Sequence, residues 1–209
     1  KAILKGAPQK RAYEIFRHEG PLALLPLKNC TYQVIWFSSI ADTQQKLSLS
    51  DDELLNRLSL ILPDKIIAEK VVGAISNYSV AKAFALPKLT NIRKLIIGDS
   101  AHSFHPVGGQ GLNSCIRDVY EVSKILKNLD NKSIFYYRLI PLKYFLKRAV
   151  DIISLLLFTD LLIKLFSNQL KLLYPLRHLI FYALRKIKFV RSNIFSLMTD
   201  SIKKYKEIK

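Results

Sequence analysis

A chain of 209 residues, half of them hydrophobic, is long enough to bury a core and to form one or two domains. Its formal charge of +17 is unevenly placed: from Arg138 onward there are 15 Lys or Arg against 4 Asp or Glu, so +11 of the total lies there. That stretch is too rich in Leu and Ile for a solvated arm binding nucleic acid, so the expected contact is an anionic membrane surface or a partner, and no nucleic acid.

The first residues, from Lys1, read as mid-protein sequence, so a fragment is expected. Pro21-Leu22-Ala23-Leu24-Leu25-Pro26-Leu27 and Thr31-Tyr32-Gln33-Val34-Ile35-Trp36-Phe37 are apolar runs separated by Lys28-Asn29-Cys30, which predicts an antiparallel hairpin. Ser50 and Glu53 have the spacing of a capping box and open a predicted helix through Leu54, Leu55, Leu58 and Leu60, stopped by Pro63. One or two further strands are expected between Val71 and Leu86. Leu95 to Ile97 reads as a short buried strand that delivers Asp99 to a sheet edge. Leu112, Cys115, Ile116, Val119, Val122, Ile125 and Leu126 then recur at helical spacing.

Helices are predicted over Pro141–Phe166, Pro175–Lys188 and Phe189–Lys206, with the prolines near two of the starts. The longest apolar stretch among them, Ile152–Phe158, is soon interrupted by Asp160 and Lys164, well short of the roughly 20 residues that span a bilayer. Cys30 and Cys115 lie far apart without ligand or redox spacing and read as reduced core residues of an intracellular protein.

The segment from Gly98 to Asn113 carries the chemistry. A strand, an acid, a glycine-rich crossing and a helix start together bring backbone close to a polar, partly anionic ligand. Asp99 is placed to accept hydrogen bonds from sugar hydroxyls, or else to cap a turn. Pro106 fixes the chain direction, and Gly108, Gly109 and Gly111 offer close approach because they lack a Cβ. Gly111, Leu112 and Asn113 would present unpaired amides at the positive end of the helix. His102 and His105 have no third ligand nearby, so no metal is expected; one could line an active site and move a phenolic proton, or both could be structural. Trp36, with Tyr32 and Phe37, is either part of an aromatic cavity wall or ordinary sheet core. Arg117 and Asp118 suit packing or an ion pair.

Gly98-Asp99-Ser100-Ala101-His102, Pro106, Gly108-Gly109-Gln110-Gly111-Leu112-Asn113 and Asp118 resemble the second flavin-contact motif of the FAD-dependent aromatic hydroxylases, the class A flavin monooxygenases. The resemblance is greatest to ubiquinone-biosynthesis hydroxylases of the 2-polyprenylphenol type; Ser100 stands where that family commonly has Ala. More loosely, Glu19 to Leu27 and the Trp36 strand resemble the sheet that covers the flavin and lines the substrate cavity. Arg148, Asp151 and Thr159-Asp160 resemble the C-terminal helices.

The resemblance implies an α/β chain, an α+β fragment forming the C-terminal half of a p-hydroxybenzoate-hydroxylase-like fold. Residues 1–90 would supply part of the substrate-domain sheet, 91–129 the end of the FAD-binding domain, and 130–209 a basic amphipathic helical region. Asp99 would hold the ribityl chain of FAD, and the amides of Gly111, Leu112 and Asn113 would face the pyrimidine side of its ring, where negative charge develops on reduction. The implied reaction hydroxylates an activated, polyprenylated phenol, with NAD(P)H as electron donor, O2 as oxygen source and FAD as cofactor. The implied location is the cytoplasm, peripheral on the inner face of a membrane. A prenyl-lipid reductase or epoxidase, or a non-catalytic membrane-surface remnant, are the alternatives. One departure matters: no G-x-G-x-x-G fingerprint occurs in the 209 residues, so the chain alone is expected to bind FAD weakly or not at all.

Overall fold

The computed structural model describes residues 1–63, 65–85, 94–127, 134–192 and 194. The chain divides into two compact units: Lys1–Ser79 with Ile163–Leu170, and Val80–Leu162 with the chain from Lys171 onward.

In the first unit, five strands form one sheet: β1 (Ala2–Lys5), β2 (Tyr13–Ile15), β3 (Leu22–Pro26), β4 (Thr31–Trp36) and β5 (Ile67–Val71), in the order β2-β3-β4-β1-β5. Every neighbouring pair is antiparallel. The expected hairpin is β3–β4, in register from Leu22 opposite Trp36 to Pro26 opposite Tyr32. Its turn is closed by the Thr31 N–H donating to the Lys28 carbonyl at 3.1 Å, with Asn29 and Cys30 at φ of 56° and 54°. Two successive left-handed residues give the turn the twist that a tight hairpin needs.

One helix, α1 (Ile40–Leu47), is capped by Ser39 and was not apparent from the apolar pattern because none of its residues is buried. The next, α2 (Asp51–Ser59), opens on the expected capping box: Ser50 Oγ accepts from the Glu53 N–H, and the Glu53 carboxylate accepts from the Ser50 N–H at 2.9 Å. Leu55 and Leu58 of this helix, with Leu62, pack onto Ala2, Leu4, Leu22, Leu24, Tyr32 and Ala68 of the sheet. Each of the fully buried leucines Leu4, Leu22 and Leu24 contributes on the order of 2 kcal/mol by leaving water. Of the one or two strands expected between Val71 and Leu86, one short one is found, at Ala83–Phe84, while β5 ends at Val71 and its register against β1 sets Ala68 over the core.

The second unit holds β6 (Ala83–Phe84) and β7 (His102–Ser103), paired antiparallel, and the helices α3 (Gly111–Lys127), α4 (Ile134–Arg138), α5 (Ile140–Phe166, whose last turn belongs to the first unit) and α6 (Tyr174–Lys186). Phe104 packs on Ile152 and Leu155 of α5, with Leu156 alongside. Pro175 stands in the first turn of α6, where its missing N–H costs nothing. Of the helix expected over Phe189–Lys206, residues 189–192 and 194 are helical, and the others lie outside the described residues. No helix among the described residues is long and apolar enough to cross a membrane. Helices combined with an antiparallel sheet agree with the α/β class inferred above.

Candidate functional site

The expected strand at Leu95–Ile97 is not one. Ile97 is extended (φ −134°, ψ 167°), but no strand among the described residues pairs with the segment, and Ile96 is 52% exposed. Asp99 therefore sits in a single 3-10 turn, Gly98–Ser100, rather than at the end of a ladder strand, and it is exposed. The turn is closed by the Ala101 N–H donating to the Gly98 carbonyl at 2.8 Å. Gly98 has φ +64°, and a Cβ there would meet Cys115 Sγ of α3 at 3.3 Å, so both its conformation and its closeness to the helix favour glycine.

Past β7, the Gly109 N–H donates to the Pro106 carbonyl at 2.9 Å across a turn whose third residue, Gly108, has φ +79°. Positive φ at that position is what glycine supplies. Val107 is buried, as is Gln110, whose Nε2 folds back to donate to the Gly108 carbonyl at 3.0 Å. A Cβ built at Gly109 or Gly111 meets nothing within 4 Å, so the outer side of the loop is open. Helix α3 begins at Gly111, and its first amide bonded backward is Ser114 N–H, to the Gln110 carbonyl at 2.9 Å. The amides of Gly111, Leu112 and Asn113 thus stand at the positive helix end without an intrahelical partner.

Behind the loop lies a charge cluster. Asp118 is fully buried on α3. Its Oδ2 accepts from the Gly98 N–H at 2.8 Å and pairs with His102 Nε2 at 2.6 Å, while its Oδ1 accepts from Arg148 Nε at 2.7 Å. Arg148, reaching in from α5, also donates to Ser114 Oγ at 3.0 Å and pairs with Asp151, which Arg117 holds at 2.9 Å. Burial opposes the Asp118 charge, but the hydrogen bonds from His102, Arg148 and Gly98 outweigh it and hold the carboxyl below its usual range. Burial likewise opposes the Arg148 charge, and its two carboxylate partners more than restore it. Burial, and next the Asp118 charge, push the nearby Tyr144 phenol far up. His102 Nδ1 and Gln110 Oε1 are buried without a hydrogen bond among the described residues.

The helical spacing of α3 is as expected, and of its apolar residues Ile125 is buried. Ser114 and Asp118 face inward, while Leu112 and Val119 are 71% and 60% exposed and Ile116 and Leu126 also face outward. The ion pairs that Arg117 and Asp118 were expected to suit are found, but sequence reasoning did not foresee Asp118 as their hub. Its only mark was the i, i+4 spacing of Ser114 and Asp118 on one helix face.

His105 Nδ1 accepts from the Val107 N–H at 3.2 Å, and burial, then the Lys82 charge, lower its pKa. Trp36 belongs to the first unit, where Lys46 Nζ sits 4.7 Å from its ring centroid; the motif residues belong to the second. Among the described residues no group of three or more His, Cys, Asp or Glu could hold a metal ion.

Residues 2–131 match the family described as FAD binding domain. The chain belongs to that family. It is 28% identical over 193 residues to an uncharacterized protein of Synechocystis, covering 90% of this chain and 45% of that protein. It is 28% identical over 160 residues to the ubiquinone hydroxylase UbiL of Rhodospirillum rubrum, covering 76% of this chain and 37% of the relative. Similarity to the 3-demethoxyubiquinol 3-hydroxylase of Escherichia coli is 27% over 175 residues, 82% of this chain and 44% of the relative. This member of the FAD binding domain family is therefore like the ubiquinone-biosynthesis hydroxylases, and it spans less than half the length of the curated relatives it matches. The open glycine loop and the unpartnered amides fit a flat, hydrogen-bond-accepting group such as a flavin ring.

Proposed function

We propose that the chain is the flavin-contacting and substrate-covering portion of an FAD-dependent monooxygenase that hydroxylates a polyprenylated phenol in quinone biosynthesis. NAD(P)H and O2 would be co-substrates, and the nucleotide-binding fingerprint would lie outside these 209 residues. The observation that carries the reading is the loop itself: positive-φ Gly108 and Gly109, open space at Gly109 and Gly111, and the free first-turn amides of α3, on a chain matching the FAD binding domain family. The names of the relatives support the substrate class.

In this reading, Asp99 accepts hydrogen bonds from the ribityl hydroxyls of FAD. The Pro106 turn sets the loop's path, and Gly108, Gly109 and Gly111 let backbone approach the ring. The amides of Gly111, Leu112 and Asn113 donate to its pyrimidine edge. When bound, FAD supplies the redox and oxygen-transfer chemistry; the protein supplies position and charge. Amides fixed at the positive helix end stabilise negative charge without reorganising. His105 lines the site, while His102 acts from behind the loop by holding Asp118. The sheet within residues 1–90 belongs to the substrate side, residues 91–129 to the flavin side, and the helices within 130–209 to a cytoplasmic membrane face.

The test is disruption of the gene in its source organism, followed by mass spectrometry of prenylated quinones and their precursors. A prenylated phenol lacking one ring oxygen is expected to accumulate. An unchanged precursor and quinone profile refutes the reading.

A further inference from the structure

The amphipathic helix α6 has no burial to match its pattern. Leu176, Leu179, Ile180, Ala183, Leu184 and Ile187 recur at the three- and four-residue spacing of a helix face that normally packs into a core. Yet no residue of α6 is buried, and Leu176, Leu179 and Ile187 are 44%, 61% and 46% exposed. Arg177 and Lys186 stand at the two edges of that face, and the opposite side carries His178 and Arg185 with Tyr174 and Phe181. From Lys171 to Ser192 there are six Lys or Arg and no Asp or Glu. Aromatic residues flank both faces, with Tyr182 61% and Phe189 74% exposed.

The neighbouring helix repeats the theme. Helix α5 buries one stripe, yet Leu146, Val150, Ile153, Leu157 and Leu161 form a second stripe facing outward, each between 42% and 74% exposed. A helix with apolar stripes on two sides suits surroundings that are apolar beyond its own core.

An apolar face, aromatic borders and a purely cationic flank are what a helix needs to lie in a membrane interface, with its apolar face in the acyl boundary and its cations at the headgroups. A globular protein partner would match the apolar face. Only a strongly acidic one would also match six cations unrelieved by any acid over 22 residues.

We propose that α6 with its basic flanks, residues 171–192, lies in the plane of an anionic lipid bilayer. The proposal rests on the membrane-face part of the function above and names the element and the lipid charge. The outward stripe of α5 belongs to the same unit.

The experiment is co-sedimentation of the 209-residue chain with vesicles of phosphatidylcholine alone, or with about one third phosphatidylglycerol. Binding is expected only to the anionic vesicles, and it should be lost when salt is raised from about 0.1 to about 0.5 M. Arg185→Gln with Lys186→Gln and Lys188→Gln, all on exposed positions, is expected to lower the partition coefficient roughly a hundredfold. Leu179→Glu is expected to abolish binding while circular dichroism stays that of the parent. Equal binding to both vesicle types, no binding, or unchanged binding by the charge variant overturns the proposal. So does a dimer that Leu179→Glu dissociates without any vesicle binding by the parent, since the occupant would then be a second copy. None of these outcomes reads flavin or quinone chemistry, so failure here is distinct from failure of the proposed reaction.

Discussion

Replacing Asp118 with Asn removes one buried charge and almost no volume. The side chain is fully buried, and Arg148, whose side chain is 4% exposed, would keep only the partly exposed Asp151 as a carboxylate partner. Removing one member of a buried ion pair costs about 3–5 kcal/mol, because the other charge stays desolvated. Against a typical total of about 5–15 kcal/mol, that loss is a large fraction of stability. For a chain of this size each kcal/mol moves the midpoint by roughly 2–4 °C, so Asp118→Asn is expected to melt about 6–20 °C lower. Circular dichroism through a thermal ramp at neutral pH measures it. The companion variant, Asp118→Leu with Arg148→Met, buries neither charge and is expected to recover most of the loss. The pH dependence has a definite sign. The Asp118 carboxyl is held below its ordinary value, so its contribution is complete above about pH 4 and disappears as pH falls toward the lower folded value. Asp118→Asn should lack that part of the acid limb. A midpoint within about 2 °C of the parent, or a double variant no better than the single, would refute the reasoning.

Three further outcomes follow from the same geometry. Leu155→Ala, at a fully buried position against Phe104, is expected to cost about 2–5 kcal/mol, whereas Leu157→Ser on the outward stripe of α5 should stay within about 0.5 kcal/mol; denaturant melts of both separate the two faces. Gly111→Ala, where a Cβ meets nothing, should leave thermal stability unchanged or slightly higher yet weaken flavin binding in a fluorescence titration; equal flavin affinity would remove Gly111 from the contact surface. His105, lowered by burial and then by Lys82, is expected to titrate below about 6.5 in an NMR pH series, so stability falls as pH drops through that region. Lys82→Ala should move that titration upward.

Much of the fold was legible because its determinants are local. Two apolar runs on either side of Lys28-Asn29-Cys30, the second β-branched and aromatic, specify the hairpin, and Ser50 with Glu53 specifies the start of α2. What was not legible depends on distant partners. Leu95–Ile97 has strand composition, but a strand exists only with a neighbour to pair with, and none is present among the described residues. Helix α3 shows the same limit: periodicity locates its apolar face at Leu112, Ile116 and Val119 but does not say whether that face turns inward. Here buried Ser114 and Asp118 decide the orientation, because Arg148, 30 residues beyond Asp118, supplies the charge that makes burying a carboxylate tolerable. Residue type and spacing located the glycine loop and the start of α3, while the contacts that Arg148 of α5 makes behind them depend on tertiary packing that spacing does not give.

That support explains why a charged cluster stands where leucines would fold more cheaply. The two Asp118 oxygens are committed to different elements: Oδ2 to the Gly98 turn and His102, Oδ1 to Arg148 of α5. Apolar packing is non-directional and would let the Gly98–Gly111 loop settle in several arrangements, several of them open to glycine. Hydrogen bonds to a fixed carboxylate are directional, and they select one arrangement. None of them uses the Gly111, Leu112 and Asn113 amides, which stay uncommitted. A loop held from one side and open on the other is preorganised for a ligand, and the buried Asp118–Arg148 pair is the device that holds it so.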